Sequence, residues 1–376
     1  MKILITGGHG FIGKNLNIWL IENGFKNIDI ISRSDSASSK LEKINKADLI
    51  FHLAGENRPA DLIDFQKGNV EFTKKIIDTL KLNNLATPII FASSTQAVKD
   101  NEYGKSKLNA EELLLNYSKE TKASVCIYRL TNVFGKWCKP NYNSVVATFC
   151  HSIINNKKLK INSAEANVCL VYIDNVCDHF TQTAKALLKH NAGEAITKHY
   201  LEVEPQWNIT VLELANILED FHASRINGLI PDVGSGFERE LWATFLSYYS
   251  PQDFSYPIII NHDYRGGFAE LVRTKSAGQF SFFTASPGIT RGGHYHHTKT
   301  EKFFVLVGEA IFKFENIATG EKYEIACSGG ENKIVETIPG WSHDITNKGE
   351  SDLVVALWAS ELFDKDRADT FSHLLT

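Results

Sequence analysis

Residues 5–13 read ITGGHGFIG, directly after an apolar run from Lys2 to Thr6, and this stretch decides the fold of the first half. Gly7, Gly10 and Gly13 stand where a strand would turn into a helix. Glycine there permits a tight turn and lets backbone N–H groups approach a pyrophosphate at the helix N-terminus. Working outward, strand-like runs recur at Asn27–Ser32, Asp48–Leu53, Pro88–Ala92 and Ser124–Leu130. Helical spacing lies between them, as in Leu16, Trp19 and Leu20 before Gly24. Strands alternating with helices imply βαβ units and a doubly wound parallel sheet covered on both faces, an α/β fold.

From about Pro257 the texture changes. Helical periodicity fades, and short β runs follow one another at Lys302–Val307, Ala310–Glu315, Lys322–Ile325 and Leu353–Trp358. The turn Ala318-Thr319-Gly320 closes a hairpin between two of them. That pattern predicts an antiparallel sandwich or β-barrel. The stretch Ser235–Ser255 predicts one last helix and a link. At 376 residues the chain is too long for one ordinary core. The expected division is a dinucleotide-binding domain at 1–245, a linker at 246–256 and an all-β domain at 257–376.

Composition narrows the function classes. Hydrophobic residues make up 43% and charged residues 22%, values of a soluble globular protein. The formal charge is −4, with Lys and Arg scattered, so a nucleic-acid surface is not expected, whereas a local phosphate pocket is compatible. None of the six cysteines forms a CxxC pair, and they read as thiols of a reducing compartment. MKILITGG leads straight into the first strand, leaving no room for a signal peptide. No apolar run approaches the ~20 residues that span a bilayer. The expected location is cytoplasmic, with no membrane partner.

A dinucleotide fold for NAD shows an acidic residue about 20 residues after the glycines. Here the second strand ends IISRS, placing Ser32 and Arg33 at that point. Arg33 could pair with a 2′-phosphate and Ser32 hydrogen-bond to it, which favours NADPH, although Asp35 stands close by. Tyr103 and Lys107, in YGKSK, are four apart and share a helical face. A lysine cation beside a phenol lowers its pKa, and the phenol can then exchange a proton with a carbonyl or alcohol. FASST offers Ser93, Ser94 and Thr95 as hydroxyl donors to the same oxygen.

The second half carries a different chemistry. RGGHYHHTKTEKFFVLVG contains His294, His296 and Glu301, and His343 follows in IPGWSHDITN. Residues two apart on a strand point the same way, so His294 and His296 can hold one ion from one face. A turn at Thr298–Thr300 would return Glu301 on the next strand. Three imidazoles and a carboxylate suit a divalent metal such as zinc. His297, Lys302 and Asp344 are unranked candidates for a base.

TGGHGFIG, DLIFHLAGEN, Asn69, FASSTQAV, YGKSK, YRLTNVFG and VYIDNV make the first half resemble the extended short-chain dehydrogenase/reductase family. That resemblance implies a Rossmann-type sheet, a catalytic hydroxyl at Ser94, a general acid at Tyr103 and an assisting lysine at Lys107. It adds Phe11, Ile12, Leu53 and Ala54 to the cofactor contacts, alongside Tyr103 and Lys107. Arg129 and Asn132 would then bind the nucleotide-sugar. Thr95-Gln96 stands where 4,6-dehydratases of the family carry an Asp-Glu pair, so dehydration is not expected. The second half resembles the cupins in its two histidine motifs.

Reductase first and cupin second is also similar to a family of bifunctional capsular polysaccharide enzymes, a likeness that includes the ending ELFDKDRADTF. It implies a UDP-linked 2-acetamido-2,6-dideoxy-4-hexulose, epimerised at C3 by the cupin and reduced at C4 by the first domain, in a homodimer. Two other readings stand beside it: a nucleotide-sugar 4-epimerase or reductase whose cupin only dimerises, and a non-catalytic sugar-nucleotide sensor.

Overall fold

The computed structural model describes residues 1–59, 61–189, 199–364 and 366–375. They form two compact units, 1–218 with 240–248 and 219–239 with 249–376.

The strands of the first unit are β1 (Ile3–Thr6), β2 (Ile28–Ile31), β3 (Leu49–His52), β4 (Ile89–Ser94), β5 (Val125–Leu130), β6 (Asn132–Phe134), β7 (Asn167–Tyr172), β8 (Tyr200–Leu201) and β9 (Gln206–Thr210). A six-stranded sheet runs β2-β1-β3-β4-β5-β8, and every pair in it is parallel. β1 and β3 are buried at every position, which is why they read as unbroken apolar runs. Ile3, Ile5 and Phe51 pack on one face with Leu16 and Phe180, while Leu4 and Ile50 pack on the other with Ile76 and Leu114. The chain leaves β1 for β2 on one side and returns to β3 on the other. That reversal opens a crevice at the carboxyl ends of the strands, where ligands of such sheets bind. A smaller sheet, β6-β7-β9, lies outside it.

The second unit is antiparallel: β10 (Asn261–Asp263), β11 (Gly266–Thr274), β12 (Gly278–Ala285), β13 (Thr290–Tyr295), β14 (Glu301–Val307), β15 (Glu309–Asn316), β16 (Lys322–Ser328), β17 (Ile334–Glu336), β18 (Trp341–Asn347), β19 (Leu353–Ala359) and β20 (Phe371–Ser372). Two sheets result, β10-β11-β12-β19-β14-β17 and β16-β15-β18-β13-β20. Phe283, Phe303 and Val355 of the first sheet share one core with Phe312, Phe314 and Ile345 of the second. The turn around Gly320 joins β15 to β16, with Glu315 opposite Lys322. Residues 219–239, expected in the first domain, group here. Arg273 on β11 exchanges backbone hydrogen bonds with Gly228 and Ile230, at 2.8 Å each, which ties that segment to the sheet.

Candidate active sites

In the first unit the glycine turn sits at the carboxyl end of β1. Gly7 has φ +71°, and a Cβ there would fall 2.8 Å from Ala54 N. A Cβ on Gly13 would lie 2.3 Å from the Gly7 carbonyl oxygen, so the helix Phe11–Glu22 can begin this close only on glycine. Gly10 caps that helix with no side-chain hydrogen bond. Thr6 Oγ1 accepts from the N–H groups of Leu53 and Ala54, each at 3.2 Å, holding the end of β3 beside the turn. Phe11 and Ile12 open the helix, half-buried.

Ser32 and Arg33 follow β2. The Ser32 hydroxyl is 2.8 Å from that of Ser34, and the exposed Arg33 guanidinium pairs with Glu56. Asp35 is already engaged: its carboxylate accepts from Lys43 at 2.6 Å and from Ser32 N at 3.1 Å. Those bonds, the lysine's foremost, hold it below the usual carboxylate range.

Tyr103 and Lys107 lie on the helix Glu102–Thr121, capped by Asn101 through Gly104 N at 2.8 Å. Of the three hydroxyls at the end of β4, Ser94 is the one that acts on the Tyr103 phenol, and its Oγ also accepts from Gln96 N at 3.1 Å. Ser93 instead gives its proton to the buried carboxylate of Glu111. Burial pushes the Tyr103 phenol up, with the Ser94 bond opposing. The downward shift expected from Lys107 is therefore not what this environment produces: desolvation dominates, and Lys107 is not among the groups acting on the phenol. Lys107 is 4% exposed and donates to the Ala92 carbonyl at 3.0 Å. Burial pushes its ammonium down to about 8, with Glu111 pulling the other way.

Asn69 lies in a π-helical turn, Gln66–Glu71. It donates to Ser106 Oγ at 2.8 Å, and Ser106 donates to the Tyr103 carbonyl at 2.7 Å. Such turns recur at functional sites. Asn132 is exposed on β6 and donates to the Cys169 carbonyl at 3.0 Å. Arg129, expected at the substrate, is taken up elsewhere: Nε and Nη2 reach Glu111 at 3.0 and 2.6 Å, and the guanidinium lies 4.4 Å from the Tyr200 ring. A fully buried carboxylate needs that partner, and this need fixes the arginine. Glu111 was missed from sequence, although it continues the Tyr103–Lys107 face by one more turn.

In the second unit His294, His296, Glu301 and His343 bring one donor atom each within 4.8 Å of one another. His294 on β13 faces His343 on β18, across a register shift between Gly292 and His294. Glu301 opens β14 in the other sheet and puts Oε2 3.5 Å from His296 Nε2 and 3.3 Å from His343 Nε2. Burial would raise the Glu301 carboxyl, but the two imidazoles hold it well below its usual range. Burial, then His343, pushes His294 down to about 4. His296 Nδ1–H donates to the Asp369 carbonyl, leaving Nε2 buried without a hydrogen-bond partner. Three imidazoles converging on a carboxylate, with His296 Nε2 buried and unpartnered among them, fit a divalent cation.

Three of the four, His294, Glu301 and His343, line a cavity of about 370 Å³. Its other charged walls are Arg265, Arg291, Lys299, Glu270 and Glu361. None of the three candidate bases lines it. His297 is exposed against Phe371, Lys302 pairs with Glu336 at 2.5 Å, and Asp344 follows His343 on the strand and so faces the opposite way.

Comparison with known proteins agrees with both halves. A family model described as the NAD dependent epimerase/dehydratase family matches residues 3–197, and one described as the polysaccharide biosynthesis C-terminal domain matches 261–371. The UDP-2-acetamido-2,6-beta-L-arabino-hexul-4-ose reductase of Pseudomonas aeruginosa is 48% identical over 99% of this chain and 98% of its own. A crystal structure of the capsular polysaccharide assembling protein CapF from Staphylococcus aureus matches with TM-score 0.90 at 38% identity, covering 100% of each chain. A dTDP-D-glucose 4,6-dehydratase of Dictyostelium discoideum is 27% identical over 48% of this chain and 54% of its own. The chain belongs to the NAD dependent epimerase/dehydratase family and, along its whole length, to the family that holds the Pseudomonas reductase and the Staphylococcus CapF.

Proposed function

We propose that the first unit reduces the C4 ketone of a UDP-2-acetamido-2,6-dideoxy-4-hexulose with NADPH, after the second unit has epimerised that sugar at C3. The product is UDP-2-acetamido-2,6-dideoxy-β-L-talose, a precursor of N-acetyl-L-fucosamine for surface polysaccharide. The observation that carries the reading is the placement of Tyr103 and the buried Lys107, one helical turn apart, beside Ser94 at the end of β4 next to the glycine turn. A full-length relative named as a reductase of such a sugar supports the substrate.

NADPH supplies the hydride when bound. Gly7, Gly10 and Gly13 would hold its pyrophosphate, Phe11, Ile12, Leu53 and Ala54 would contact it, and Ser32 and Arg33 would select its 2′-phosphate. Ser94 and Tyr103 donate to the ketone oxygen. As that oxygen gains negative charge, Tyr103 passes it the phenolic proton, and the Lys107 cation nearby stabilises the phenolate left behind. Burial keeps Tyr103 protonated at neutral pH, the form a proton donor needs. Asn132 is in reach of solvent to meet the nucleotide-sugar.

His294, His296, Glu301 and His343 would hold a divalent ion, zinc among those suited, which acts as an electrophile on a carbonyl and so acidifies the neighbouring C–H. The cavity walls supply the groups that move that proton. Arg265 and Arg291 there suit the phosphates of the nucleotide. No helix among the described residues is long and apolar enough to cross a membrane. A cytoplasmic homodimer acting on a soluble nucleotide-sugar is the arrangement proposed.

The test is turnover of the UDP-linked 4-keto sugar, followed by nicotinamide absorbance, with the product's stereochemistry read by NMR. Oxidation of NADPH and deuterium uptake at C3 from heavy water are expected. Failure of the sugar to oxidise NADPH sinks the reductase reading, and absence of deuterium at C3 sinks the epimerase half.

A further inference from the structure

Asp369, in the stretch ELFDKDRADTF, plays no part in the chemistry above, yet it touches the candidate metal centre twice. We propose that Asp369 is a positioning residue of that centre, setting the His296 ring through its carbonyl and the loop between His296 and Glu301 through its carboxylate. The inference rests on the reading of His294, His296, Glu301 and His343 as metal ligands.

The carboxylate is saturated by one short stretch of chain. Oδ1 accepts from His297 N at 2.9 Å, and Oδ2 accepts from Thr298 N at 2.6 Å, Thr298 Oγ1 at 2.9 Å and Lys299 N at 2.8 Å. Residues 297–299 are part of the link from one ligand, His296, to the next, Glu301. Left free, that link would have to be ordered, at a cost in chain entropy, whenever an ion bound. Clamped, the two ligands are held at their spacing beforehand. The carbonyl of the same residue takes the proton on His296 Nδ1. That bond fixes the tautomer and leaves the Nε2 lone pair facing Glu301 at 3.5 Å.

Asp369 is itself held where it can do this. Two residues later β20 pairs with β13, with Phe371 opposite Tyr295 and Ser372 opposite His294. His373 N donates to the Gly293 carbonyl at 2.9 Å, and Ser342 Oγ, beside His343, donates to the His373 carbonyl at 2.7 Å. The tail is thus hydrogen-bonded to both strands that carry the histidines.

The test titrates cobalt(II) or zinc(II) into the full-length protein against a competing chelator, for wild type, Asp369→Ala, the near-isosteric Asp369→Asn, and His343→Ala. Melting of each metal-free form and NADPH binding are measured alongside. Metal affinity should fall roughly 10- to 100-fold in both Asp369 variants, with an altered cobalt absorption band, and further in His343→Ala. NADPH binding should be unchanged, showing that the first unit has folded, and the metal-free melting transition should be retained, showing the same of the second. Wild-type affinity in both Asp369 variants, or a lowered metal-free melting temperature with the affinity intact, overturns this inference alone. A wild-type protein that binds neither ion overturns the metal reading itself, and His343→Ala matching wild type would do the same.

Discussion

Lys107 holds its ammonium where water barely reaches, and its neighbours decide whether it stays charged. Burial favours the neutral amine and pushes the group down to about 8, whereas Glu111, one helical turn on, favours the cation. The proposed reduction needs the cation, so kcat/KM should hold below pH 8 and fall as pH rises through about 8. Glu111→Gln removes the negative partner, so the fall should begin at a lower pH. A pH profile of the two proteins checks this, and an unmoved limb would show that Glu111 acts on the fold alone. Tyr103→Phe deletes the proton donor while keeping the ring against Phe65. Its kcat should drop by roughly 10²- to 10⁴-fold, with NADPH affinity retained in a fluorescence titration; a near-normal kcat would remove Tyr103 from the mechanism.

At the scale of elements, the glycine turn works because three chain segments approach more closely than a side chain permits. Gly13→Ala would drive a methyl into the Gly7 carbonyl, a backbone atom that cannot step aside. The expected cost is about 1–3 kcal/mol of stability, together with loss of NADPH binding; urea unfolding and cofactor titration read the two, and an unaltered protein would contradict the close approach. This turn was legible in the sequence, as were the five strands around it, each within one or two residues of its expected bounds. Buried parallel strands announce themselves as apolar runs, and His294, His296 and Glu301 sit at spacings that a strand and a turn dictate. The segment 219–239 and the cavity walls were not legible. A backbone exchange between Gly228 and Arg273, or a carboxylate at 369 closing on amides at 297–299, joins parts of the chain about 45 and 70 residues apart, and no local pattern encodes it. Glu111 and Arg129 are intermediate: the helical face was visible, but not that a buried carboxylate would claim the arginine.

For the molecule as a whole, two units with separate cores imply two separate stabilities. A ligand stabilises only what binds it, by RT ln(1 + [L]/Kd), which is about 2.7 kcal/mol at a hundredfold excess over Kd. For a unit of roughly 150–250 residues, each kcal/mol moves the melting temperature by about 2–4 °C. NADPH should therefore raise the transition of the first unit by some 5–10 °C. A divalent ion should raise the transition of the second, and a chelator should return it to the metal-free position. Calorimetry of one preparation with NADPH alone, metal alone and both gives the comparison, and Asp369→Asn should shrink only the metal's effect. If either ligand moved both transitions together, the units would be unfolding as one. The cofactor and metal sites would then have to be treated as coupled, because a stability that cannot be divided cannot be assigned to one ligand.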